Sequence, residues 1–94
     1  MNVNLKINTV THPLDPLSLE ELALASSILK REKNLHDKCR FPYLHLAEPD
    51  KREVLAHVPG QAFSRRAFAL VLDKLTGNTF EALVDLNSQT LVDW

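Results

Sequence analysis

The sequence predicts an α+β domain: one amphipathic helix packed on a four-stranded antiparallel sheet. Three observations predict it. A capping box opens one long helical pattern near the amino terminus. Four later segments read as strands. The last three of these are joined by turns too short for a crossover, which forces antiparallel neighbours. At 94 residues the chain is expected to be a single domain, 1–94, with one modest core and no cleft between lobes.

Residues 1–11 alternate, with Val3, Leu5 and Ile7 set between Asn2, Asn4, Lys6 and Asn8. They are read as an arm or an edge strand. His12-Pro13-Leu14-Asp15-Pro16-Leu17 is an extended lead-in, because each proline restricts the residue before it. Ser18 followed three residues on by Glu21 is the capping box. Leu17 and Leu22 flank it as a hydrophobic staple. The helix then runs from about Leu19 to about Lys33. Leu22, Ala25 and Leu29 form its apolar stripe, with Ile28 beside it. Glu20 and Glu21 lie at the positive end of its dipole, and Lys30, Arg31 and Lys33 at the negative end.

Arg40 to Leu46 is the first strand, and Pro42 confines it to a sheet edge or marks its start. Lys51 to His57 fits one helical turn or an extended link, and Pro59-Gly60 is a turn. Arg65 to Asp73 is the second strand. Ala67, Ala69 and Val71 share one face, and Phe68, Leu70 and Leu72 the other. Lys74 to Asn78 is a hairpin loop in which Gly77 takes positive φ. Thr79 to Leu86 and Thr90 to Trp94 are the last strands, separated by Asn87-Ser88-Gln89. One helix hides one face of such a sheet. Phe68, Leu70, Leu72, Phe80 and Leu83 therefore supply apolar surface that wants a second cover.

Composition narrows the function classes. Hydrophobic residues are 45%, charged residues 24%, and the net charge is -1. That balance describes a globular chain with no net positive field, so nucleic acid is not an expected partner. No apolar run reaches the ~18 residues of a membrane span, and MNVNLKINTV lacks the continuous apolar stretch of a signal peptide. The single cysteine, Cys39, makes no internal disulfide. The expectation is a cytoplasmic protein away from membranes.

Four groupings bear on chemistry. His45 and His57, with Cys39 or Glu48, carry donor types that suit zinc or copper, but their spacing matches no metal motif. Cys39 and His36 pair a nucleophile with a base, and Asp37 is the only neighbour to orient them. Lys30, Arg31, Lys33, Lys38 and Arg40, with Arg65 and Arg66, form a basic cluster that Glu32 and Asp37 interrupt. Val58-Pro59-Gly60-Gln61-Ala62 stands where a protease-inhibitor hairpin would need Gln-x-Val-x-Gly, and does not match it. No catalytic, cofactor or metal residues are assigned from these patterns, and no cofactor is expected.

Several segments together resemble one family. They are His12 to Glu21, Glu48-Pro49-Asp50-Lys51 with Val54-Leu55-Ala56, and Arg65-Arg66-Ala67-Phe68. Leu72 to Leu86 and the closing Val92-Asp93-Trp94 complete the set. Together they span 12–94 and resemble the small amino-terminal domain of the copper amine oxidases. The resemblance implies a cystatin-like fold. It also implies that the family's chemistry, with topaquinone, copper on three histidines and an aspartate base, belongs to a separate β-sandwich domain. None of that carries over. Tyr43 stands in Phe-Pro-Tyr-Leu, and no His-x-His occurs among His12, His36, His45 and His57.

The expected function is therefore a non-catalytic, stand-alone interaction or accessory module, working as a homodimer or against a larger protein. One alternative is a small-ligand binder or minor enzyme that uses the sheet face. Another is a remnant that inherits only the family's association with copper, quinone and amine metabolism.

Overall fold

A computed structural model describes residues 10–94. The expected arm or edge strand with Val3, Leu5 and Ile7 lies outside the described residues. The element order is α1 (Leu19–Lys33), β1 (Cys39–Leu46), α2 (Lys51–Ala56), β2 (Arg66–Asp73), β3 (Thr79–Asp85) and β4 (Thr90–Asp93). The four strands form one antiparallel sheet in the order β1-β2-β3-β4. Among the described residues no helix is long and apolar enough to cross a membrane.

Helix α1 starts where its local chemistry dictates. The Ser18 hydroxyl accepts from the Glu21 amide at 3.1 Å, and the Ser18 amide donates to Glu21 Oε1 at 3.0 Å. Asn34 ends the helix in the left-handed region, φ 50°, with its amide bonded to the Lys30 carbonyl. Ser18→Ala should cost about 1 kcal/mol, since a first-turn amide loses its acceptor. An unchanged denaturation midpoint would show that the helix does not depend on this cap.

The core lies between α1 and one sheet face. Ala25, Ile28 and Leu29 of the helix meet Ala67, Ala69 and Val71 of β2 and Ala82 and Val84 of β3. The alanines make a low floor that lets the helix sit close. Both edge strands carry a bulge, β1 between Arg40 and Tyr43 and β4 between its partners at Leu83 and Val84. An inserted residue shifts the alternation by one. Phe41 and Leu44, three apart, therefore both pack on the core, and so do Leu91 and Trp94. Pro42 lies in the β1 bulge on an edge strand, where its missing amide costs no ladder bond.

The connections follow their turn residues. Lys51 to Ala56 is a helix, capped by Asp50, which settles the open choice for that segment. Val58 to Gln61 closes with a 3.0 Å bond and Gly60 at φ 88°, a type II turn with proline and glycine in their preferred places. Gly77 takes φ 80°, as its hairpin position requires. Arg65 falls just outside β2 as a buried side chain, a correction to the expected strand start at that residue.

Candidate functional site

The far face of the sheet carries Tyr43, Phe68, Leu70, Leu72 and Leu83. They belong together because each is a cross-strand or alternate neighbour of the next. Tyr43 is 61% exposed and the other four are half-buried. His45 lies against Phe68 with ring centroids 5.3 Å apart. Helix α1 packs on the opposite face, and α2 approaches one end of this one, where Asp50 and Glu53 line a hollow with Arg66 and Leu83. Phe80 belongs to the opposite face, where it stacks on Trp94 at 4.8 Å, which corrects its expected place in the exposed set.

The one grouping of three metal-type donors among the described residues is His36, Cys39 and Asp73, all within 4.8 Å of one another. Register explains it: Cys39 pairs with Asp73 across β1 and β2, and His36 sits on the turn before β1. Neither His45 nor His57 takes part, so the donor set weighed from sequence does not assemble among the described residues. Cys39 and His36 do meet, Sγ to Nε2 at 3.7 Å, but the carboxylate beside them is Asp73 and not Asp37. Sequence reasoning missed Asp73 because only long-range strand pairing brings it there.

The hydrogen bonds decide what this trio can do. The Lys38 amide donates to His36 Nδ1 at 3.1 Å, so Nε2 carries the proton and faces Asp73 Oδ1 at 3.1 Å. A base for the Cys39 thiol, or a metal ligand, needs a lone pair on Nε2. Asp73 Oδ1 also accepts from the Leu75 and Thr76 amides at 2.9 and 3.3 Å. Burial opposes the Asp73 charge, but His36 and these amides outweigh it and hold the carboxyl below its ordinary range. The trio is a clamp on the β2–β3 loop.

A second polar cluster holds the lead-in to α1. Arg65 is 5% exposed and binds Glu21 through two parallel bonds, Nε to Oε2 at 2.9 Å and Nη2 to Oε1 at 2.8 Å. Its Nη1 donates to the Pro13 carbonyl at 3.1 Å and its Nη2 to the Pro16 carbonyl at 3.2 Å. Asp15 accepts from the Thr11 and His12 amides, and these bonds, the Thr11 bond foremost, hold its carboxyl below the usual range. The distinctive His-Pro-Leu-Asp-Pro-Leu segment is thus a strap buckled by Arg65.

The remaining candidates find structural partners. His57 packs edge-on against His12 at 5.4 Å and Phe63 at 5.1 Å. Arg31 bonds Glu32 and the Gln89 carbonyl, and Lys33 lies 4.8 Å over Trp94. Arg66 pairs with Asp85 at 3.4 Å. With Arg65 buried on Glu21, the basic cluster read from sequence is broken into separate contacts. These residues do not fit copper or a quinone. His12 Nδ1 accepts from the Leu14 amide, His36 presents a proton, and Tyr43 stands on the open face.

Comparison with known proteins identifies relatives of the whole fold. Residues 19–93 match the family model of the AGAO-like N2 domain. A primary amine oxidase of Arthrobacter sp. (strain P1) is 41% identical over 85 residues, 90% of this chain and 13% of that protein. Primary amine oxidase 2 of Arabidopsis thaliana is 38% identical over 88 residues, 86% of this chain and 13% of that protein. A primary amine oxidase of Klebsiella aerogenes is 34% identical over 87 residues, 88% of this chain and 11% of that protein. The chain thus spans about an eighth of the length of these curated relatives.

Proposed function

The chain belongs to the AGAO-like N2 domain family, and from that premise we propose that these 94 residues are a non-catalytic interaction module. Its working surface is the open sheet face. The observation that carries this reading is the apolar set Tyr43, Phe68, Leu70, Leu72 and Leu83, which turns away from the core between α1 and the sheet. Contiguous apolar surface of this kind is where proteins bind partners.

The polar groups support the same reading. Glu21, Asp15, Asp73 and Asp85 each accept from turn or cap amides, so their charge is committed to holding the fold. Every buried side-chain nitrogen and oxygen among the described residues has a partner. The interior therefore holds no polar atom waiting for a substrate. The free Cys39 fits a reducing compartment, and the module is read as cytoplasmic.

The test is an amine-dependent peroxide assay on the purified chain supplied with copper. The expected result is peroxide no higher than a copper blank and no quinone stain. Peroxide above the blank together with a stained protein would overturn the non-catalytic reading.

A further inference from the structure

We draw no further inference here: the strongest candidate, the open sheet face bearing Tyr43, Leu70 and Leu72 with the hollow that Glu48, Asp50 and Glu53 line at its α2 end, is an unpartnered apolar surface beside an acidic cluster, and nothing in the structure shows what covers it.

Discussion

Replacing Arg65 with methionine is expected to lower stability by about 3–5 kcal/mol, the range for breaking one half of a buried ion pair. Methionine fills the volume but leaves the Glu21 carboxylate without its two guanidinium bonds, at 17% side-chain exposure. The Pro13 and Pro16 carbonyls lose their donors in the same step. Arg65→Lys keeps the charge, but one ammonium cannot serve a bidentate carboxylate and two carbonyls together, so it should still cost about 2 kcal/mol. Urea denaturation reads both values. A loss below about 1 kcal/mol for the methionine variant would mean that the strap is held by other contacts.

Acid titration gives this prediction a second readout. Burial opposes the Glu21 charge, but the bonds from Arg65 and Ser18 outweigh it and hold the carboxyl below the ordinary range. A depressed folded value stabilises the protein above the unfolded value, about 4.3. That contribution is lost as pH falls through the folded value. Wild type should therefore lose stability below about pH 4 more steeply than Glu21→Gln. Asp15, Asp73 and Asp85 are lowered too and add the same slope to both proteins, so the difference between the curves reports Glu21.

Leu29→Ala is expected to cost about 3–4 kcal/mol, towards the upper part of the range for buried leucine truncation. Leu29 is 0% exposed and shares a cluster with Ala67, Ala69 and Ala82. Alanines cannot swing into a cavity, and the sheet backbone beneath them is fixed by its ladder. The site therefore collapses poorly, which is what raises the cost. Leu19→Ala, on the same helix but 78% exposed, should change stability by less than about 0.5 kcal/mol. Equal small effects at the two positions would contradict the docking of α1 on this face.

Local chemistry made much of the fold legible in the sequence. The capping box, the turn prolines, the positive φ of Gly77 and the alternation of Ala67 to Leu72 are decided within a few residues, so pattern reading finds them. The bulges are different. Phe41 and Leu44 look out of phase for one strand face, and only the partner's register shows the extra residue that brings both inward. The buckle of Arg65 on Glu21 spans 44 residues of sequence and has no local signature. Arg65 read as strand and surface charge for that reason. Asp73 was hidden behind the nearer Asp37, because distance along the chain favours the wrong carboxylate until β1 and β2 are paired. The open face itself was legible. The misplacement of Phe80 came from treating β3 side chains as a set, when 80, 82 and 84 share the helix side.

The central claim is that the protein works through the face bearing Leu70, Leu72 and Leu83. Methyl NMR of dilute protein with a soluble paramagnetic agent tests it most directly. The methyls of Leu29, Val71 and Val84 should stay shielded, since they lie in the core. Those of Leu70, Leu72 and Leu83 should bleach, since they stand on the opposite face of the sheet. Sheet-face methyls as shielded as those of the core would contradict the account.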